Sequence, residues 1–374
     1  MKRNEKKLPG YIINTLAAFA VFAAAVLAPQ LGTSVKMASI VWQICYFIIL
    51  ACSLNLVIGF LGQLSLGHCG FMAVGAYTAA LISLAFQRGG FYTEKSGAAF
   101  ILVIVICIAA AGILAAVVGL VVGIPALRMK GDYLAIITLG FGLIIVNIIN
   151  NLPFCGMDGL AEGSAASALY ANGLGLVLQQ LVGYVWLPVG LTMLSVCVMF
   201  MFVRSKYGRA IMAIRDNEIA ASACGVNTSR YKVMTFVIGA FFAGIAGALF
   251  AMCNSTLSTA SFNFTSSSIL NSTFIVVMVV IGGMGSLTGS SVAAVLLYLL
   301  NYTIKNGKWV AQLPAFLQQI FAYPMLVYSI VMVIVIIFRP RGIFGAYEFS
   351  LYHTFKGLFK KRGLPRVKEA ADHA

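Results

Sequence analysis

Residues 98–124 are AAFILVIVICIAAAGILAAVVGLVVGI, a run without a single charged side chain. A helix needs about 20 mostly apolar residues to cross the hydrocarbon core of a bilayer. This run is long enough to do so, and residues 38–58 and 233–253 form uncharged runs of similar length. Three such runs in one chain indicate an integral membrane protein.

The composition of the whole chain agrees with this interpretation. Of its 374 residues, 61% are apolar and 9% are charged, whereas a soluble domain carries about 25% charged residues. Water-soluble enzymes and nucleic-acid-binding modules are therefore excluded. The net charge of +15 would suggest nucleic acid in a soluble protein, but here the basic residues lie in short clusters between apolar runs. That arrangement is typical of a polytopic protein whose partner is the lipid bilayer, not nucleic acid.

The apolar runs predict an all-α fold with about ten transmembrane helices. Three of them are the weakest candidates, because the third is rich in glycine and the eighth and ninth are short. The ten candidate spans are 11–28, 38–58, 67–86, 98–124, 132–151, 184–203, 233–253, 269–282, 289–304 and 321–338.

The distribution of charge predicts the orientation. With the N-terminus inside and ten alternating spans, 20 of the 25 Lys and Arg residues fall on the inner side, as the positive-inside rule requires. Both termini are then cytoplasmic, with tails at 1–10 and 339–374, a transmembrane domain at 11–338 and a cytoplasmic loop at 204–232. Residues 11–28 could instead be a cleaved signal peptide, and both alternatives place residue 30 outside.

Ten spans form two halves of five, so the second half would enter the membrane inverted relative to the first. Inverted repeats of this kind are common in transporters. Each half also contains a glycine-rich interruption, at Gly59–Gly70 and at Gly282–Gly289. The sequence therefore predicts an inverted five-plus-five repeat.

No motif for catalysis, for a metal or for a cofactor is found in the sequence. The chain lacks a P-loop, an HExxH motif and a GxSxG motif. All ten acidic residues lie in loops, tails or span ends, whereas ion-coupled carriers need an acid within the membrane. An ion-coupled carrier and a membrane enzyme acting on lipid are thus disfavoured. His68 is interpreted as a helix-packing residue, and the eight cysteines as small buried side chains.

The segment Arg204–Lys232 is the longest polar stretch between two spans. Asp216 or Asn217 can cap a short helix over Glu218–Cys224, and Gly225 can end it. A capped helix of this kind suits a docking surface, but a solvated basic loop would have the same composition. The residues alone leave both interpretations open.

Two further stretches interrupt apolar helices with small and polar residues. Gly59–Tyr77 is rich in glycine, and irregular backbone persists within a membrane only where protein or water satisfies it. In the second stretch, 131–151, Thr138 and Gly142 share a helix face, and we expect Asn147 to lie near it. A polar translocation pathway and ordinary helix contact are both open. The pathway candidates are Asn55, Gln63, Ser65, Thr138, Gly140, Gly142 and Asn147.

Several stretches together resemble one family, the membrane permeases of branched-chain amino-acid ABC importers of the LivM type. The resemblance extends over residues 40–345. The stretches that carry it are SLNLVIGFLGQLSLGHCGFMAVGAY from Ser53, LRMKGDYLAIITLGFG from Leu127, SKYGRAIMAIRDNEIAASACGVN from Ser205, VVIGGMGSLTGS from Val279 and RPRGIFG from Arg339.

The resemblance implies one permease subunit of a bacterial plasma-membrane importer for branched-chain, hydrophobic amino acids. It would pair with a second permease of LivH type, two ATP-binding subunits and an extracytoplasmic binding protein. The chain itself would bind no cofactor, because ATP and magnesium belong to the ATP-binding subunits. The residues implied in coupling to those subunits are Arg209, Arg215, Asp216, Glu218, Ala220 and Gly225.

Two departures from the family pattern concern the substrate. Leu143 stands where relatives usually have an acid, and Cys155–Leu160 differ from the usual outer stretch TGGPNGL. A permease for urea, a nucleoside or a sugar is therefore the alternative within the same class.

Overall fold

The structure is a computed structural model that describes residues 35–88, 98–127, 129, 133–152, 184–254, 257, 262, 272–306, 324–339, 342–343 and 345. Within these ranges the secondary structure is helical and contains no strand. The helices are α1 (Val35–Asn55), α2 (His68–Arg88), α3 (Ala98–Ala126), α4 (Tyr133–Asn151), α5 (Trp186–Arg204), α6 (Lys206–Asp216), α7 (Glu218–Ala223), α8 (Thr228–Cys253), α9 (Ser272–Gly282), α10 (Leu287–Asn306) and α11 (Pro324–Phe338).

Seven of these helices are long and apolar enough to cross a membrane. They are α1 to α5, α8 and α10, and each coincides with one of the predicted spans. The predicted spans 269–282 and 321–338 correspond to the shorter helices α9 and α11. Span 11–28, both termini and residues 153–183 lie outside the described residues. An all-helical, multi-pass fold is thus confirmed, while the total of ten spans and the orientation stay predictions.

The chain after α1 does not continue as a regular helix. Leu56–Phe60 form a π-helical turn, in which Leu61 N donates to Leu56 O at 3.2 Å. Gly62 then adopts a φ of +75°, a conformation that favours glycine. Residues 62–67 carry no helix, and α2 begins only at His68. The predicted glycine-rich interruption is therefore a real break between two membrane helices.

Helices α1 and α8 lie at the centre of the bundle. Of an 18-residue apolar stretch in each helix, 78% is buried in α8, compared with 33% in α4 and in α5. Aromatic side chains connect α1 to its neighbours. Phe47 lies 5.8 Å from Phe274 of α9 and 5.7 Å from Tyr298 of α10, and Tyr46 lies 5.7 Å from Phe250 of α8, measured between ring centroids.

Small residues allow α8 to approach α2 and α3 closely. A Cβ at Gly75 of α2 would lie 2.5 Å from Gly244 Cα, and one at Gly119 of α3 would lie 2.5 Å from Ala240 Cβ. Gly247 is likewise in contact with the backbone at Met72. These small residues thus allow the three helices to pack closely.

Candidate functional site

Segments that are far apart in sequence meet at one end of the bundle. Leu56–Gly62, Gly282–Ser286 and the side chain of Arg215 are in mutual contact, and we call this region the glycine junction. A Cβ at Gly59 would collide with Gly285 N and with Asn55 Oδ1. The glycine-rich interruptions of the two halves of the chain therefore lie back to back, with no room for a side chain between them.

Asn55 bonds the two interruptions together. Its Oδ1 accepts from Gly285 N at 3.0 Å, and its Nδ2 donates to Ser286 O at 2.9 Å and to Ser290 Oγ at 2.8 Å. The side chain is fully buried, so its polar atoms are all engaged with protein. In this structure Asn55 therefore stabilises the glycine junction, and its assignment to a pathway stays a prediction.

Arg215 enters the glycine junction from α6. Its Nη1 donates to Gly59 O at 2.9 Å, and its stem lies against Gly62, where a Cβ would be 2.6 Å from Arg215 Cγ. A Cβ at Gly285 would be 3.2 Å from the same Nη1. The guanidinium is thus seated between the two glycine-rich segments.

The RPRGIFG stretch also reaches this region. Ile343 N donates to Ile281 O at 2.9 Å, and a Cβ at Gly342 would lie 2.5 Å from Gly283 Cα. The chain after α11 therefore packs on the turn between α9 and α10. Four of the five stretches on which the family resemblance was based meet at the glycine junction.

The segment next to the junction folds into two capped helices. Ser205 caps α6 by accepting from Tyr207 N and Gly208 N at 3.1 and 3.3 Å. Asn217 caps α7 by accepting from Ala220 N at 3.0 Å, so Asn217 and not Asp216 is the cap. Gly225, with a φ of +83°, ends α7. The predicted short helix is confirmed, whereas α6 as a separate helix was not expected.

The two faces of this segment differ in character. Ile211 and Ile214 of α6 and Ala221 of α7 are buried and fix the segment to the bundle. Ile219 is 83% exposed, and Ala220 and Ala223 beside it are also exposed. An isoleucine so exposed on a short, firmly attached helix forms a small apolar surface that nothing within the described residues covers.

The predicted coupling residues make different contacts. Glu218 accepts from Lys232 Nζ at 2.6 Å, with the lysine side chain only 7% exposed, which joins α7 to α8. Arg209 Nη1 donates to Arg204 O at 3.4 Å. Asp216 is 71% exposed and pairs with Arg215 at 3.3 Å. Charges expected to orient a partner are therefore engaged within the chain.

The predicted pathway residues of the α1–α2 break lie beside α4. Thr138 Oγ1 accepts from Leu66 N at 3.2 Å and donates to Ala135 O at 3.0 Å. Ser65 Oγ and Gln63 Oε1 are buried and have no hydrogen-bond partner among the described residues. These two side-chain oxygens of the break are available to a ligand or to water.

The expectation that Asn147 lies near Thr138 and Gly142 is wrong. Thr138 and Gly142 are buried against the break, where a Cβ at Gly142 would lie 3.0 Å from Gly67 Cα. Asn147 is exposed, and a Cβ at Gly140 would have no neighbour within 4 Å. Nine residues of helix turn Asn147 to the side opposite Thr138. The four residues thus occupy two faces of α4.

Sequence reasoning missed several polar contacts of the buried region. His68 Nε2 lies 2.7 Å from Ser53 Oγ, and Cys69 N donates to Ser272 Oγ at 3.2 Å, which joins the start of α2 to α1 and α9. The first contact agrees with the packing role expected for His68. Lys232 was visible in sequence as a lysine at the start of an apolar run, fourteen residues after Glu218.

Comparisons with known proteins identify the family. The family model described as "Branched-chain amino acid transport system / permease component" matches residues 36–337. The high-affinity branched-chain amino acid transport system permease protein LivM of Escherichia coli is 34% identical over 317 residues, which is 79% of this chain and 67% of that protein. A probable LivM of Methanocaldococcus jannaschii is 23% identical, over 81% of this chain and 91% of that protein.

A second kind of relative is also similar. The LivH permease protein of Salmonella typhimurium is 27% identical over 217 residues, or 54% of this chain and 65% of that protein. No solved structure matches the chain significantly. The match over most of the chain, together with the identity to LivM, shows that this chain belongs to the family of branched-chain amino acid transport permeases and is a transport protein, not an enzyme.

Proposed function

We propose that this chain is one of the two membrane subunits of an ATP-driven importer that carries branched-chain amino acids across the bacterial plasma membrane. The names of the relatives support the transport of branched-chain amino acids. The observation that supports ATP hydrolysis by a partner is an exposed apolar surface on α7, formed by Ile219, Ala220 and Ala223. The chain itself has no P-loop. Such a chain must take its energy from a partner.

Two ATP-binding subunits are the proposed partners at α7. Ile219 and Ala223 are four residues apart and share the face opposite the buried Ala221. Burying an isoleucine that is 83% exposed would contribute about 1.5–3 kcal/mol to docking. ATP and magnesium would be bound by those subunits and not by this chain. Arg209, Glu218 and Gly225 would hold the surface in shape through their contacts within the chain.

The second permease subunit is proposed to cover α4. The exposed face of α4 carries Gly140, Leu143 and Asn147, and an asparagine facing hydrocarbon is costly. A pathway between this face and a homologous subunit of LivH type would give Asn147 polar surroundings. Gln63, Ser65, Thr138 and Gly142 would line or support the same pathway from the α1–α2 break. An extracytoplasmic binding protein would deliver the substrate at the opposite end from α7.

The substrate is tested by uptake in proteoliposomes that contain this chain, its second permease and the ATP-binding subunits, with the binding protein added outside. We expect ATP-dependent uptake of labelled leucine, isoleucine and valine, and none of urea, nucleosides or sugars. Uptake of one of those solutes in place of the amino acids would contradict the substrate and favour the alternative suggested by Leu143. Uptake driven by an ion gradient without ATP would contradict the class.

The docking surface is tested with Ile219→Asp and Ala220→Trp. Each variant should lose the ATP-binding subunits on purification and lose uptake, because the first places a charge on the apolar surface and the second adds bulk beside it. Ser229→Trp is the control, since Ser229 is exposed at the start of α8 on the same side of the bundle. Full retention of the ATP-binding subunits by Ile219→Asp would show that α7 is not their docking site.

A further inference from the structure

Only two residues separate Arg215 from the proposed docking helix α7. It is the penultimate residue of α6, and Asn217, the cap of α7, follows Asp216. Asn217 N also donates to Ala213 O at 3.0 Å, which closes the last turn of α6. A displacement of α7 must therefore move the Arg215 backbone with it.

The guanidinium of Arg215 is directed into the glycine junction. Its side chain is 35% exposed, and Nη1 is bonded to Gly59 O at 2.9 Å. On the other side, Nε and Nη2 lie 3.4 and 3.3 Å from Asp216 Oδ1. A guanidinium held on both sides is oriented by the chain itself and is engaged before any partner binds.

The acceptor of this bond is a carbonyl at the end of an interrupted helix. The last carbonyl groups of a helix have no partner within the helix. Gly59 lies in the π turn Leu56–Phe60 that follows α1 and ends its helical run. The nearest backbone bonds of this turn are those of Leu61 N to Leu56 O at 3.2 Å and Gln63 N to Val57 O at 3.1 Å. Arg215 thus supplies a donor from another element to this helix end.

We propose that Arg215 is a positioning residue that transmits movement of α6 and α7 to the α1–α2 break, and that it is not a contact to the ATP-binding subunit. The proposal rests on the proposed function. The movement would pass from α7 through Arg215 to Gly59, and then along the chain to Gln63 and Ser65. The side-chain oxygens of these two residues are buried without a partner among the described residues. Gln63 and Ser65 follow Gly59 by four and six residues, so movement of Gly59 would displace those oxygens.

The glycines explain why the contact can move. Gly62 and Gly285 bring the backbone to the guanidinium without a side chain between them. The contact therefore rests on one hydrogen bond between a charged group and backbone, not on interlocked apolar side chains. Such bonds can exchange between acceptors without opening a cavity, whereas a packed core changes only by discrete rearrangement.

The test compares Arg215→Met with Arg230→Met in the complete reconstituted complex. Methionine keeps much of the length of the stem and removes the donors. Arg230 is an exposed arginine of the neighbouring α8 outside the glycine junction. Three quantities are measured: the ATP-binding subunits retained on purification, the rate of ATP hydrolysis, and the number of substrate molecules transported per ATP.

For Arg215→Met we expect full retention of the ATP-binding subunits and continued ATP hydrolysis, with transport per ATP reduced about tenfold, the factor that follows from losing one hydrogen bond to a charged donor. Arg230→Met should behave as the unmodified complex. Arg215→Lys keeps a charged donor group at the end of the side chain and should recover part of the transport per ATP. A role in folding alone would lower the yield of all Arg215 variants without changing transport per ATP.

A second readout follows the break directly. Hydrogen exchange of the peptide containing residues 56–66 should change when a non-hydrolysable ATP analogue is added to the unmodified complex, and should not change in Arg215→Met. Release of the ATP-binding subunits by Arg215→Met, or unchanged transport per ATP and unchanged exchange, would overturn the proposal. Failure of the unmodified complex to transport would instead contradict the proposed function, so the two failures are distinguishable.

Discussion

Substitution of Asn55 by alanine should destabilise the protein by about 2–4 kcal/mol. The fully buried side chain makes two hydrogen bonds to the turn between α9 and α10 and one to Ser290 of α10, at 2.8 to 3.0 Å. Ser286 O keeps its bond from Ser290 Oγ at 3.1 Å, but Gly285 N loses the acceptor to which it donates. One orphaned buried donor costs about 1–3 kcal/mol, and the two further lost bonds add about 0.5 kcal/mol each, because Ser286 O and Ser290 Oγ remain bonded to each other.

The measurement is the thermal midpoint of the purified protein in detergent, followed by size-exclusion chromatography after heating. A loss of this size should lower the midpoint by at least about 4 °C, at about 2 °C for each kcal/mol. Asn254→Ala is the matched control, because Asn254 makes one bond to Phe250 O, at 2.9 Å, within the end of α8. Its removal should cost less than about 1 kcal/mol, since Phe250 O keeps its bond from Asn254 N at 3.2 Å.

Equal midpoints for Asn55→Ala and Asn254→Ala would refute the reasoning. That result would mean that Asn55 does not bond the two glycine-rich segments as the structure places them, or that water replaces the amide at no cost. Asn55→Asp separates these outcomes. It retains an acceptor for Gly285 N but places a charge beside Ser286 O, so it should be at least as destabilising as alanine if the site is dry.

Three further predictions concern packing, topology and the C-terminal tail. Gly75→Ala should destabilise the protein by about 1–3 kcal/mol through overpacking against α8, whereas Gly140→Ala, which faces open space, should be neutral or stabilising; equal thermal midpoints would contradict the helix contact. In single-cysteine variants, an impermeant thiol reagent added to intact cells should label Cys155 and not Cys224, and the reverse pattern would invert the orientation. Truncation after Phe349 should lower the amount of protein in the membrane but not transport per molecule, because the basic tail would bind anionic lipid; loss of transport per molecule would contradict that role.

The features predicted well from the sequence are those set by local chemistry. The cap of α7 and its glycine end follow from the residue types at Asn217 and Gly225, and the long helices follow from uncharged runs. The glycine-rich interruption after α1 was predicted for the same reason, because glycine and polar residues cannot continue an apolar helix at low cost. The family followed from several such stretches taken together.

The features that the sequence did not predict depend on contacts between distant segments. Nothing near Arg215 shows that its guanidinium binds Gly59 O, 156 positions away, so a basic residue in a docking loop was interpreted as a partner contact. Asn55 was assigned to a pathway because it is polar within an apolar span, although the three bonds that occupy it come from residues more than 200 positions away. The error about Asn147 has a different cause. Helical spacing alone places Asn147 opposite Thr138, so the sequence was sufficient to predict its position.

The contrast between the two kinds of helix contact indicates where this protein can move. At the crossing of α2, α3 and α8, backbone and small side chains interlock, and sliding would bring atoms into collision. At the glycine junction, close backbone contacts between glycines are joined by hydrogen bonds of the Asn55 and Arg215 side chains, and the chain leaves the regular α-helix at Leu56–Phe60. The central α1 takes part in both, with its body packed against α8 and its end at the junction. We therefore expect conformational change to bend α1 at Leu56–Phe60, while the crossing behaves as a rigid body on which the bend acts.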